Sequence, residues 1–185
     1  MSPAPRTLRP DRPRRPLARL ARDRGGATAV EFAMVAAPFL FMMFAIIELG
    51  LVFVISSTLE SAAMDAGRLI RTGQLQTAGG NAATFKEAVC ERMSIFAGDC
   101  GDKLSIDVQV LPQFSAALPA DPLADGELDD SELGFDAGGA EDIVLVRAWY
   151  RHPLITPFLE QALSRTGDGA AMISASAAFR NEPYQ

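Results

Sequence analysis

The sequence predicts an α+β protein that carries one N-terminal membrane helix. Residues 32–55 form an apolar run of 24 residues with a single charge. Three later segments, at residues 103–111, 142–151 and 172–180, have the alternating or β-branched pattern of strands. Two segments near these strands carry helix-start signals. We therefore expect a long N-terminal helix followed by an exported domain with a small antiparallel sheet and short helices.

Residues 1–26 form a basic leader with eight arginines, five prolines and no aromatic residue. With two Asp, its net charge is 8 − 2 = +6, whereas residues 27–185 carry nine Lys or Arg and 21 Asp or Glu, a net charge of −12. We interpret this basic segment as a disordered cytoplasmic leader that lies against anionic lipid before the membrane helix. The acidic remainder also argues against nucleic-acid binding.

Residues 27–56 are predicted to cross the membrane. About 20 apolar residues span the hydrocarbon core as a helix, whereas the apolar part of a signal peptide has roughly 7–15. Because arginines precede the span and do not follow it closely, we expect the N-terminus in the cytoplasm and residues 57–185 outside. Pro38 is expected to kink the helix, since it removes one backbone hydrogen bond.

Two carboxylates accompany the span. Glu31 lies at its inner boundary, where the helix macrodipole and the headgroups stabilise a negative charge. At 1.5 Å per residue the hydrocarbon core reaches roughly from Phe32 to Leu51, so Glu48 lies about one turn beneath the outer surface. We expect Glu48 to be solvated from the interface; a proton relay and pairing within a filament are the alternatives.

The helix is expected to continue beyond the membrane. Residues 57–72 keep apolar positions at i, i+3 and i+4, and Gly73 is a suitable helix terminator. A single helix from Ala27 to Thr72 would be about 70 Å long. The alternative is two helices with a break near Ser56-Ser57.

The remaining elements follow from local signals. A capping box from Thr84 to Glu87 predicts a helix that runs to about Ala97 and ends at Gly98. Thr156-Pro157 predicts a second short helix, closed near Gly167. In the strand at 103–111, apolar residues occupy one side and form the half-buried face. The other side carries Ser105, Asp107 and Gln109.

Cys90 and Cys100 both fall on the exported side. An even pair in an oxidising compartment predicts a disulfide. Closing a loop of about ten residues would stabilise the fold by about 2–3 kcal/mol. Two free thiols are the alternative. A metal site would need further Cys or His ligands, and His152 is the only histidine.

Residues 112–140 form an acidic segment, in which seven Asp or Glu occur with no Lys or Arg. We expect a flexible, solvated and partly disordered loop, or a contact surface for a basic partner. Four acidic residues match positions 1, 5, 9 and 12 of an EF-hand loop: Asp121, Asp125, Asp129 and Glu132. Leu123 stands where a third ligand is needed, so the calcium candidate is weak, and no cofactor is predicted.

The sequence contains no nucleophile elbow, no phosphate-binding glycine loop and no cluster of metal ligands. His152 precedes a proline and is expected at the end of a strand. We therefore expect a protein that is not an enzyme.

The junction at residues 25–32, Gly-Gly-Ala-Thr-Ala-Val-Glu-Phe, resembles the processing site of type IV prepilins. In that family a prepilin peptidase cuts after a glycine, and the mature chain has glutamate at its fifth position. Cleavage after Gly26 would make Ala27 the first mature residue and Glu31 the fifth. The pair of Glu31 and Phe32 is similar to that of the tight-adherence (Flp, type IVc) branch.

Further features resemble those of TadE-like pseudopilins: the segments at residues 66–74 and 179–184, and the cysteine pair. These are minor, pilin-like assembly proteins of the tight-adherence pilus. Cleavage after Gly26 would leave 185 − 26 = 159 residues, which is too long to resemble the short major Flp pilin.

The resemblance implies a non-catalytic pseudopilin, processed by prepilin peptidase and anchored in the bacterial inner membrane with a periplasmic C-terminal domain. Its implied partners are lipid, other pilin-like subunits and pilus assembly proteins, with incorporation into the pilus left open. In a filament Glu31 would meet the N-terminal amine of a neighbour. One alternative is an unprocessed single-span protein with a periplasmic binding or scaffold domain. Another is an anchored calcium- or ligand-sensing domain.

Overall fold

The computed structural model describes residues 26–124 and 127–184. Apart from Gly26, the predicted leader lies outside the described residues. The chain divides into two compact units, with the boundary between Met42 and Met43.

One helix, α1, runs from Ala27 to Arg71. It passes Ser56-Ser57 without interruption, so the alternative of two separate helices is excluded, and the helix also continues through Pro38. Most apolar side chains of its first part are exposed, among them Phe32, Met34, Val35, Phe39 and Met42. It is the one helix of the described residues that is long and apolar enough to cross a membrane, which indicates a membrane anchor.

Beyond Val54 one face of α1 becomes a core face. Its buried residues recur at helical spacing, which is the pattern of an amphipathic helix packed on a domain: Ile55, Leu59, Ala62, Ala63, Ala66 and Ile70. The helix ends just before Gly73, whose φ of 73° is a left-handed conformation that glycine adopts without a steric penalty.

Three strands form one antiparallel sheet in the order β1-β4-β5. Their bounds are Leu104–Leu111 for β1, Ile143–Pro153 for β4 and Ala170–Arg180 for β5. A separate hairpin consists of β2, Leu123–Ala124, and β3, Glu127–Leu128. Strands β4 and β5 both extend two residues further than predicted at the Pro153 end, because they pair along their whole length. The α+β fold class is thus confirmed.

Four short helices complete the fold: α2, Gln74–Thr77; α3, Ala82–Glu91; α4, Ala97–Lys103; and α5, Pro157–Leu163. The predicted bounds of α3 were wrong at both ends. The cap is Asn81, whose side chain accepts a hydrogen bond from the Thr84 N–H at 3.1 Å. A regular helix cannot pass Ser94, which has a positive φ of 55°, and Gly98 lies inside α4 instead of ending α3.

One hydrophobic core joins the second part of α1, one face of the sheet and α3. The sheet contributes its apolar side, and α3 with the following turn contributes the residues that close the core: Phe85, Val89 and Met93. The alternation predicted for β1 is confirmed at Leu104, Ile106 and Val108, which are buried, but not at Val110, which is exposed.

Candidate functional site

The glycine of the predicted processing site lies immediately before α1 and is exposed. A Cβ atom built on Gly26 would meet no heavy atom within 4 Å. Gly50, inside α1, has equally open surroundings. Packing within the fold therefore does not require glycine at position 26.

The other predicted processing residues begin α1. Ala27 is its first residue, and Glu31 lies four residues later on the same helix face. Both Glu31 and Phe32 are exposed. Among the ion pairs formed by the described residues, none includes Glu31. A carboxylate next to apolar side chains is costly in lipid unless it is solvated or paired. The ion pairs of the described residues do not supply such a partner for Glu31.

Glu48 is buried, contrary to the expectation of a solvated carboxylate, and only 8% of its surface is exposed. One carboxylate oxygen accepts the N–H of Ile155 at 2.5 Å, and the other accepts the N–H of Thr156 at 2.9 Å. Thr156 precedes α5, and its own side chain makes no capping hydrogen bond. Glu48 therefore satisfies the backbone donors of the two residues that immediately precede α5.

The two later segments that resemble TadE-like proteins, residues 66–74 and 179–184, lie against each other. Three contacts join them: Gly67 with Phe179, Arg71 with Glu182, and Gly73 with Tyr184. The Glu182 N–H donates to the Arg71 carbonyl oxygen at 2.8 Å. A Cβ at Gly73 would lie 2.4 Å from the Tyr184 ring, so glycine is required there both by this close approach and by its positive φ.

Asp107 was predicted on the side of β1 away from the core, but its side chain is fully buried. Two guanidinium nitrogens of Arg147 donate to one carboxylate oxygen, at 3.0 and 2.9 Å. The other oxygen accepts the side-chain amide of Gln109 at 2.9 Å and the N–H of Gly134 at 2.8 Å. Asp107 and Arg147 lie directly opposite each other across β1 and β4. Sequence analysis missed this pair, whose only signal was opposite charge in two strands.

Two parts of the acidic segment are hydrogen-bonded to the sheet, although most described residues of the segment are exposed or half-buried. The third guanidinium nitrogen of Arg147 donates to the carbonyl oxygens of Pro119 and Ala120, at 3.1 and 2.8 Å. The backbone of residues 134–136 pairs with Val108 through two hydrogen bonds, at 2.9 and 2.8 Å. Hydrogen bonds to β1 and to Arg147 of β4 therefore hold two parts of the segment on the sheet.

Two carboxylates of the calcium candidate, those of Asp121 and Asp129, accept local hydrogen bonds. Asp121 accepts the N–H of Leu123 at 3.1 Å. The hydroxyl and the N–H of Ser131 donate to Asp129 and lower the pKa of that carboxyl. Asp125 lies outside the described residues. Within the described residues, no three His, Cys, Asp or Glu side chains are grouped so that they could hold a metal ion.

The predicted disulfide between Cys90 and Cys100 is confirmed. It joins α3 to α4, and Cys100 lies in the hydrophobic core with no exposed surface. The bond therefore fixes the two helices that cover the edge of the core beside β1.

Reduction of this disulfide is expected to lower the free energy of unfolding by about 2–3 kcal/mol, because the unfolded chain regains the entropy of an open loop. Chemical denaturation of the full chain in detergent, with and without reductant, measures the change. A Cys90→Ala/Cys100→Ala variant should be insensitive to reductant, and an equally small response of the unaltered chain would contradict the prediction.

Residues 26–68 match the family model described as TadE-like protein. The match begins at Gly26 and therefore contains the predicted processing residues Gly26, Ala27, Glu31 and Phe32. It extends into the part of α1 that packs on the core. The resemblance to TadE-like proteins is thus confirmed over this segment. No curated protein and no solved structure matches the chain.

Proposed function

We propose that this chain, whose residues 26–68 are TadE-like, is a non-catalytic minor pilin-like protein (pseudopilin) that assists assembly of a tight-adherence pilus. A TadE-like segment and an apolar N-terminal helix fit a membrane protein associated with such a pilus. In this proposal a prepilin peptidase cuts after Gly26, and the apolar part of α1 holds the product in the inner membrane.

The position of Gly26 carries the proposal. The family match begins at this residue, α1 begins at the next one, and Glu31 is then the fifth residue. The open space around Gly26 supports the same conclusion, because packing would tolerate a larger residue there. A requirement for glycine would come from an enzyme that reads this junction.

The exposed apolar side chains of α1 support a role in assembly. In the membrane, lipid covers them, and outside the membrane only other apolar helices could replace that lipid. Cleavage would also create a positive α-amine at Ala27, and the carboxylate of Glu31 would be a suitable partner for the amine of a neighbouring subunit. The proposed partners are therefore a prepilin peptidase, other pilin-like subunits with the assembly machinery, and the lipid bilayer.

N-terminal sequencing of the membrane-extracted protein tests the proposal. In cells that produce the prepilin peptidase, we expect the chain to begin at Ala27, with all 26 leader residues removed. In the same cells without the peptidase, the leader should be retained. A chain that keeps its leader when the peptidase is present would contradict the proposal. That result would favour an unprocessed single-span protein with a binding or scaffold domain.

A further inference from the structure

We propose that residues 154–158, here called the basal loop, form a second membrane contact that inserts into the outer leaflet beside α1. The basal loop runs from the end of β4 through the first two residues of α5, Pro157 and Phe158. The inference rests on the membrane placement of α1 in the proposed function, and it assigns a lipid-binding surface to the exported domain itself.

Glu48 determines the depth of the basal loop. It follows Glu31 by 48 − 31 = 17 residues, which corresponds to about 26 Å of helix. With Glu31 at the inner headgroups and a hydrocarbon core of about 30 Å, Glu48 lies about one turn below the outer surface. Because the Glu48 carboxylate accepts the N–H groups of Ile155 and Thr156, the basal loop lies at the same depth.

The same hydrogen bonds lower the free-energy cost of placing the Glu48 carboxylate and the loop backbone at this depth. A carboxylate near lipid needs donors, and backbone N–H groups near lipid need acceptors. Glu48 and the two N–H groups meet both needs within one chain, at 2.5 and 2.9 Å. Irregular backbone can thus approach the hydrocarbon region without leaving those donors unsatisfied.

The basal loop presents apolar side chains outward. Ile155 is 89% exposed and Phe158 is 63% exposed, although Thr156 and Leu159 beside them are buried. The loop is held at Glu48, and the residues beside Glu48 in α1 also expose apolar side chains: Ile46, Ile47 and Leu49. A lipid leaflet is therefore the occupant that the position of these side chains favours.

Charge does not account for attraction to the membrane here. Residues 57–185 carry nine Lys or Arg and 19 Asp or Glu, a net charge of 9 − 19 = −10, so anionic lipid would repel the exported domain as a whole. Burial lowers the pKa of His152, next to the basal loop, and the nearby Lys103 lowers it further, whereas Glu48 opposes this shift. The lowered pKa favours the neutral imidazole, so His152 is a poor source of positive charge. The contact must be apolar, and salt should not weaken it.

The sheet supplies a control position at the opposite end of the domain. Strand β4 has eleven residues, about 36 Å, between Ile143 and its end at Pro153 beside the basal loop. Leu111 pairs with Ile143, and Phe114 follows three residues later, within about 10 Å. Phe114 is 61% exposed, so it matches Phe158 in residue type and exposure but lies far from the basal loop.

Fluorescence quenching by brominated lipid tests the inference on the full chain. A Trp149→Phe background removes the single native tryptophan, and Ile155→Trp or Phe114→Trp then supplies one reporter. The chain is reconstituted in phosphatidylcholine vesicles with bromine near the headgroup end of the acyl chains. We expect the bromolipid to remove most of the emission at position 155 and little at position 114, with no change at high salt.

Equal quenching at positions 155 and 114 would overturn the inference. Shielding of position 155 from both brominated lipid and aqueous iodide would also overturn it, because another protein subunit would then cover the loop. Phe158→Trp provides a second reporter on the same surface if Ile155→Trp disturbs folding. Quenching at 155 in a chain that keeps its leader would contradict only the proposed function. A chain that begins at Ala27 without quenching at 155 would contradict only the present inference.

Discussion

Replacement of Asp107 by alanine is expected to lower the free energy of unfolding by about 3–5 kcal/mol, because it leaves a buried guanidinium without its counter-charge. The side chain of Arg147 is only 12% exposed, so water cannot replace the lost carboxylate fully. The amide of Gln109 and the N–H of Gly134 lose their acceptor in the same substitution. Unfolding of the full chain in detergent, followed by the fluorescence of Trp149, measures the loss.

Asp99→Ala is a matched control for this prediction. Asp99 also forms an ion pair, with Lys103 at 3.0 Å, but its side chain is 75% exposed. Such surface pairs contribute about 0–1 kcal/mol, so the control should change stability little. If Asp107→Ala destabilised the protein no more than Asp99→Ala, the buried pair would not hold the acidic segment on the sheet. Arg147→Lys should not preserve stability, since one ammonium cannot replace the several directed bonds of a guanidinium.

Asp107 also shows where sequence reasoning stops. Alternation within residues 103–111 correctly predicted a strand and, except at Val110, its core side, because that pattern depends on local geometry. The burial of Asp107 on the opposite side depended on β-strand register and on contacts of the acidic segment, which the composition of that segment did not indicate. Opposite charges in β1 and β4 were visible, but only the pairing of Asp107 with Arg147 turned them into a contact.

The long helix shows the same division between local and distant information. Its length and amphipathic second part follow from residue spacing, and both were predicted. The partners of Glu48 are more than 100 residues away in the sequence, so no local pattern could identify them. Helix α3 ends after Glu91 for a local reason, the positive φ of Ser94. The residues around Ser94 are ordinary helix formers, so their types did not indicate this end.

The two carboxylates of the predicted membrane span, Glu31 and Glu48, thus differ in what they leave available for other molecules. Glu48 is satisfied by backbone donors of its own chain, so it has little capacity to pair with a neighbouring subunit. Glu31 is exposed and lies in the first turns of α1. Under the proposed function, the intermolecular charge pairing expected in a pilus is therefore assigned to Glu31, and Glu48 stabilises the base of the exported domain.

Gly26→Ala is expected to abolish removal of the leader while membrane insertion continues. The substitution adds a methyl group at the proposed scission point, where a prepilin peptidase requires glycine. The fold should tolerate it, because no heavy atom lies within 4 Å of the added carbon. The mass of the membrane-extracted chain from peptidase-producing cells should therefore be that of the unprocessed form. Gly50→Ala makes the same change inside α1, also with no contact within 4 Å, and this control should be processed normally. Appearance of an Ala27 N-terminus in the Gly26→Ala chain would show that the enzyme does not select position 26.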